Sequence, residues 1–245
     1  MLRNYFFIIF AVTCFEQISI NGASPGKLPF EKCSLKDSEC IKTQVQKSVS
    51  AFTAGIPELG IQKLDKMFID SVKIQKDGLD FQIRNVEIEG LRNAVIDNVW
   101  IDTNLKYIHL TFHTNLNIDS DYTVGGHLFT FPVSGAGKAH MRKFNDTTEM
   151  LILFDFKKNE NGEDVINLLD YRYGNDKSGA DYRFENLFNG DKAKSDLVHE
   201  FINRNWRTTT LSFGPYLYDK MNDILFNSCK SILGSAPVHD FAIVD

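Results

Sequence analysis

The segment Ile108-His109-Leu110-Thr111-Phe112-His113-Thr114-Asn115-Leu116-Asn117-Ile118 decides the fold class. Ile108, Leu110, Phe112, Leu116 and Ile118 recur at even spacing with Thr114 among them, and His109, Thr111, His113, Asn115 and Asn117 take the alternate positions. Successive side chains of a strand point to opposite faces, so this is a strand with one apolar and one wet face. Such a strand belongs to an antiparallel sheet that is covered on one side only.

The same period runs outward from Met67 to Tyr173. Leu79, Phe81 and Ile83 alternate with Asp80, Gln82 and Arg84; the phase slips at Asn85, and Val86 and Ile88 continue it. A slip of one residue predicts a bulge that bends the strand. Further strands are predicted over residues 122–133, 138–144, 147–158 and 164–173, with Asn161-Gly162 as the hairpin turn between the last two. Long, bulged strands imply a strongly curved sheet that wraps around something.

Helical period flanks the strands. Ile41, Val45, Val49 and Phe52 form one stripe of a helix over residues 38–54, closed by Gly55 and Pro57. Val198, Ile202, Trp206, Phe213, Leu217, Met221, Leu225 and Ile232 form a second stripe over residues 191–233, where Gly214-Pro215 is expected to kink or break the helix. Gly234 and Pro237 close it. The fold class is therefore α+β: a long C-terminal helix wrapped by a highly curved antiparallel β-sheet, with a short N-terminal helix. No repeat or Pro/Ser-rich linker divides the chain, so residues 24–245 are read as a single domain.

Residues 1–23 are read separately. Arg3 precedes an apolar run from Tyr5 to Phe15, and Asn21-Gly22-Ala23 supplies small residues for cleavage. This is the pattern of a secretory signal peptide, since the run is shorter than the roughly 20 residues that span a bilayer. A secreted, extracellular location without a transmembrane segment is expected. Cys14 leaves with the leader. Cys33 and Cys40 flank a short polar loop and are expected to pair, worth roughly 2.5 kcal/mol at best for so short a loop. Cys229 remains, either as an inert buried thiol or as one half of an intermolecular bridge. Asn145-Asp146-Thr147 fits a glycosylation sequon, with Asn145 as the acceptor.

Composition excludes several classes. Of 245 residues, 43% are hydrophobic and 24% charged, which rules out a wholly disordered chain. With 27 Lys+Arg against 32 Asp+Glu the net charge is −5, and no basic run offers a footprint for nucleic acid or an anionic membrane surface. Phenylalanine is abundant, at 20 residues, of which Phe6, Phe7, Phe10 and Phe15 belong to the leader. The others imply either a large dry core or an apolar cavity.

Residues for chemistry are not assembled into a motif. On a strand, His109 and His113 stand about 13 Å apart, too far to chelate one ion. Ser134-Gly135-Ala136-Gly137-Lys138 lacks the first glycine and the final hydroxyl of a phosphate loop, because those positions hold Pro132 and Ala139. There is no Gly-x-Ser-x-Gly elbow or His-Glu-x-x-His. Asp119-Ser120-Asp121 starts like a calcium loop, but Thr123 and Val124 follow where a ligand and the turn glycine belong. No metal, cofactor or enzymatic activity is expected. An apolar site is. A curved sheet closing on a long helix leaves an elongated gap that Phe112, Phe129, Phe131, Phe154 and Phe156 would line from the strands. Phe52, Trp206, Phe213, Leu217 and Met221 would line it from the helices. Tyr122, Thr114 or Tyr171 would offer a polar anchor. Each buried methylene of a ligand contributes about 0.8 kcal/mol.

Three motifs carry a family resemblance. Gly55-Ile56-Pro57-Glu58-Leu59-Gly60-Ile61 after Cys33 and Cys40, Asn186-Leu187-Phe188-Asn189-Gly190-Asp191-Lys192, and Phe201-Ile202-Asn203-Arg204-Asn205-Trp206 followed by Pro215 and Leu217 resemble the signatures of the takeout and haemolymph juvenile-hormone-binding protein family. Their order covers essentially all of the chain after the leader. The resemblance implies a secreted arthropod protein whose curved sheet and long helix enclose a hydrophobic tunnel. It implies a carrier, monomeric, of a small lipophilic ligand such as a terpenoid, a fatty acid or a related lipid. It also implies an N-terminal disulfide between Cys33 and Cys40. Members are linked to feeding, circadian rhythm, hormone transport and chemosensation. This chain departs at Lys66, where the family often has proline, and lacks partners for the second disulfide of the dedicated hormone carriers, which places it with the takeout-like members. A membrane-associating lipid-transfer protein and a secreted lipid-ester hydrolase are the alternatives.

Overall fold

One hairpin organises the sheet. The computed structural model of the chain describes residues 31–243, so the leader lies outside the described residues. In chain order these residues form β1 (Cys33–Ser34), α1 (Ser38–Thr53), β2 (Met67–Lys76), β3 (Leu79–Glu89), β4 (Val95–Asp102), β5 (Tyr107–Leu128), β6 (Phe131–Lys158), β7 (Asp164–Asp176) and β8 (Gly179–Phe184). Then follow α2 (Lys192–Arg204), α3 (Trp206–Ser235), α4 (Val238–Phe241) and β9 (Ala242–Ile243). The expected curled antiparallel sheet, long C-terminal helix and short N-terminal helix are all present.

Strands β5 and β6, of 22 and 28 residues, pair along their whole length. The sequence pattern predicts breaks at residues 119–121 of β5 and at residues 134–137 and 145–146 of β6. The chain in fact continues, because a bulge re-aims a strand without ending it. The predicted strand over 122–133 is corrected in the other direction: the chain reverses at Phe129 and Thr130, and Leu128 pairs with Phe131. Phe129 takes a left-handed φ of 53° there, a conformation that the apolar pattern of its neighbours does not announce. The slip at Asn85 is a bulge as expected, with φ 50° and a register shift between Arg84 and Glu87.

A second bulge divides the sheet into two halves. It lies between Thr114 and Leu116 on β5, opposite Asn145 on β6, whose φ is 48°. Toward the hairpin tip the order is β2-β3-β5-β6-β8; on the far side it is β4-β5-β6-β7. The inward residues of both halves, among them Val86, Ile88, Leu116, Ile118, Met150 and Leu168, form one core.

Helix α3 runs across the concave side of both halves. Its 30 residues span about 45 Å. The break falls at Asn205, which separates α2 from α3, and not at Gly214-Pro215, which lies inside α3. Proline removes one backbone donor, but Pro215 and Leu211, whose carbonyl loses its partner, both face solvent, where water can replace it. The chain ends are held by the Cys33–Cys40 disulfide and by a parallel pairing of β1 with β9. Helix α1 is clamped on β4 through Gln46, which accepts from the Ile96 N–H (2.7 Å) and donates to the Ala94 carbonyl (3.1 Å).

Candidate functional site

Two apolar cavities lie in line along α3, one under each half of the sheet. The larger, about 300 Å³, is bounded by α1, β4 to β7 and the C-terminal part of α3. Its wall includes Val49, Phe52, Ile108, Phe112, Ile152 and Leu225. The smaller, about 100 Å³, is bounded by β2, β3, β5, β6, β8, α2 and the N-terminal part of α3. Its wall includes Ile83, Val133, Phe184, Ile202, Phe213 and Leu217. Spaces lined in this way lack partners for water and favour apolar occupants.

The ten residues singled out from the sequence do not all reach these spaces. Phe52 and Phe112 line the larger cavity; Phe213 and Leu217 line the smaller. Met221, 2% exposed, lies on α3 between the two groups. Phe129 and Phe131 sit at the β5–β6 hairpin tip, where Phe129 packs on Phe201 and Phe213 (5.9 and 5.7 Å between centroids) and Phe131 on Phe201 (4.9 Å). They fasten the tip to the helices and line neither cavity. Phe154 is packed into the core, edge-on to the exposed Phe156 (5.5 Å). Trp206 opens α3 with the Arg207 guanidinium over its ring. Period-two patterning assigns a face, but it does not say whether that face meets a neighbour or a space.

Of the three suggested anchors, Tyr122 lines the smaller cavity. Its hydroxyl donates to the Glu185 carbonyl at 2.7 Å, and burial pushes the phenol up to about 12. Thr114 donates to the Gly90 carbonyl (2.7 Å) and Tyr171 to Asp223 (2.6 Å), both structural bonds. Asn145 is exposed on the bulge of β6. Its neighbour Asp146 is buried.

A polar cluster stands between the cavities, at the level of the central bulge. Asp146 accepts from the Tyr218 hydroxyl and faces the Lys177 Nζ at 3.6 Å. Burial raises the Asp146 pKa and lowers that of Lys177, so both are pushed toward their neutral forms. Lys143, 4% exposed, donates from Nζ to the Tyr182 hydroxyl (2.7 Å), which meets Thr210 Oγ1 at 2.7 Å. Burial pulls Lys143 down to about 7, with Lys177 adding to the fall and Asp146 opposing it. Asn222, fully buried one helical turn after Tyr218, has no protein partner for its amide among the described residues. Sequence reading passed over this cluster, although one signal was present: Lys143 shares strand phase with Ala139 and Met141.

Cys229 is free and lines the larger cavity, where burial raises its thiol to about 11. The histidines of the outer sheet face pair with carboxylates: His109 with Glu149 (2.6 Å), His113 with Asp97 (2.8 Å) and His140 with Asp119 (2.5 Å). Among the described residues no cluster of metal-ligating side chains occurs, and no helix is long and apolar enough to cross a membrane.

Comparison with known proteins agrees with this geometry. The family described as haemolymph juvenile hormone binding protein matches residues 8–243. The circadian clock-controlled protein daywake of Drosophila melanogaster is 23% identical over 225 residues, covering 87% of this chain and 86% of its own. The juvenile hormone-binding protein of Manduca sexta is 31% identical over 98 residues, 39% of this chain and 43% of its own. The crystal structure of Epiphyas postvittana Takeout 1 superposes with a TM-score of 0.85 at 30% identity, covering 87% of this chain and all of that one.

Proposed function

The chain belongs to the haemolymph juvenile hormone binding protein family, and from that premise we propose that it is a secreted carrier which buries a small lipophilic ligand between its curled sheet and α3. The larger cavity carries the reading. It is walled by aliphatic and aromatic side chains from α1, α3 and strands β4 to β7, with Cys33 of the disulfide among its lining residues. Burial of an apolar chain there contributes about 0.8 kcal/mol per methylene, and eight methylenes would supply about 6 kcal/mol before the cost of immobilisation. A terpenoid, a fatty acid or a related lipid fits this chemistry. Secretion is supported by the leader of residues 1–23 and by the Cys33–Cys40 disulfide, which forms in oxidising compartments. A binding role is supported by the description of the family and by the juvenile hormone-binding protein of Manduca sexta among the relatives.

The test is direct. Protein secreted from insect cells is analysed by native mass spectrometry and then, after delipidation, titrated with a fluorescent apolar probe. The expected result is a co-purified lipid that native activation releases, and a probe that lipids displace. Protein that is empty as secreted and binds no apolar probe would contradict the carrier reading. Phe112→Asp, which places a charge in the wall of the larger cavity, should weaken probe binding at least about tenfold.

A further inference from the structure

The two cavities differ in charge. The larger one has two acidic residues in its wall, Glu31 and Asp240, and no basic one. The smaller one carries a single charged residue in its wall, Lys143. That amine is buried, and among the described residues no carboxylate lies within ion-pair reach of it. Asp146 is committed to Lys177 and Tyr218. Those two groups balance each other whether they hold opposite charges or share a proton, so Lys143 is the surplus base of the interior. An ammonium has three donors. One is used on Tyr182, whose own proton then goes to Thr210. Two remain for an occupant of the cavity.

We propose that the smaller cavity is an anion-anchored site for a medium-chain aliphatic acid, whose carboxylate takes Lys143 as its counter-ion while its chain lies against Ile83, Val133, Phe184 and Leu217. The inference rests on the carrier reading and names the ligand class of one of its two cavities. Size sets how much of the acid is enclosed. At about 30 Å³ per water-sized group, a cavity of about 100 Å³ holds on the order of three or four, so it takes the carboxylate end of the chain and not its whole length. Electrostatics agree with the class, because Lys143 is the one charged residue in the wall of the smaller cavity. The acid enters ionised and the amine takes up one proton from water, so the occupied site is a neutral ion pair.

Delipidated full-length protein is titrated calorimetrically with decanoic acid and with methyl decanoate at pH 7. The acid should bind at least about tenfold more tightly than the ester, as expected for a charge-assisted hydrogen bond in a dry site. Lys143→Met, which keeps the shape of the stem, should remove that preference, so that acid and ester bind alike. A second readout needs no variant: the carboxyl carbon of bound, ¹³C-labelled decanoate should stay ionised to lower pH than the free acid. Equal binding of acid and ester by the natural protein, or a preference retained in Lys143→Met, overturns the proposal alone. Failure of both probes together with every neutral lipid overturns the carrier reading with it.

Discussion

Lys143 occupies an inward position of β6, where a curled sheet ordinarily places an apolar side chain. The groups that act on it are Asp146 on its own strand, Lys177 on the β7–β8 link and Tyr182 on β8. Its pKa is about 7 in the folded protein, against about 10.4 in an unfolded chain. Between those values the unfolded state binds a proton that the folded state does not. Stability therefore rises with pH across that window and falls as pH returns toward 7. Urea midpoints measured at pH 7, 8 and 9 should climb for the natural protein and stay flatter for Lys143→Met. Part of this was legible in the chain, since Ala139, Met141 and Lys143 share one strand phase. Its partners were not, because Lys177 and Tyr182 come from the β7–β8 link and β8, and Asp146 is turned inward beside it by the extra residue of the bulge.

At the scale of elements, the positions of bends decided what could be read. The slip at Asn85 shows in the apolar pattern because it shifts every following side chain to the other face. The bulge at Asn145 marks β6 alone: its inward phase passes from Ala139, Met141 and Lys143 to Asp146, Thr148, Met150 and Ile152, whereas β5 keeps Phe112, Thr114, Leu116 and Ile118 in one phase. Helix α3 passes through Pro215 because that turn faces solvent, whereas the break at Asn205 has a side-chain cause. Asn205 bonds back to the Phe201 carbonyl from its amide at 2.9 Å. The connection from β3 to β4 makes the central bend tight. Gly90 has φ 122°, its N–H donates to Asp65 (2.7 Å), and a Cβ there would stand 1.9 Å from the Asn115 carbonyl oxygen on β5. Gly90→Ala must move one strand off the other and should cost about 3 kcal/mol or more in urea denaturation. Gly78→Ala is the control. Its φ is also positive, at 83°, but no atom lies within 4 Å of the added carbon, so only the left-handed backbone is penalised, by about 1–2 kcal/mol.

For the molecule as a whole, the long β5–β6 hairpin holds two half-sheets, each half covers one cavity, and α3 serves both. The smaller cavity reaches α3 as far as Tyr218 and the larger one begins at Leu225, with Met221 and Asn222 packed between them. If that stretch and the cluster behind it divide the interior, the cavities fill independently. Cys229 allows this to be tested, because its side chain faces the larger cavity and no part of it lines the smaller. Cys229→Trp adds an indole to a space of about 300 Å³, enough room to avoid the overpacking penalty of a filled core. Occupying the space in this way should weaken binding of a neutral long-chain lipid at least about tenfold. Decanoic acid should keep its affinity and its preference over the methyl ester, because Lys143 and the walls around it are untouched. Calorimetric titration of the same variant with both ligands separates the cases. A parallel loss would mean that the two spaces act as one continuous channel, with Lys143 part-way along it rather than at the closed end of its own chamber.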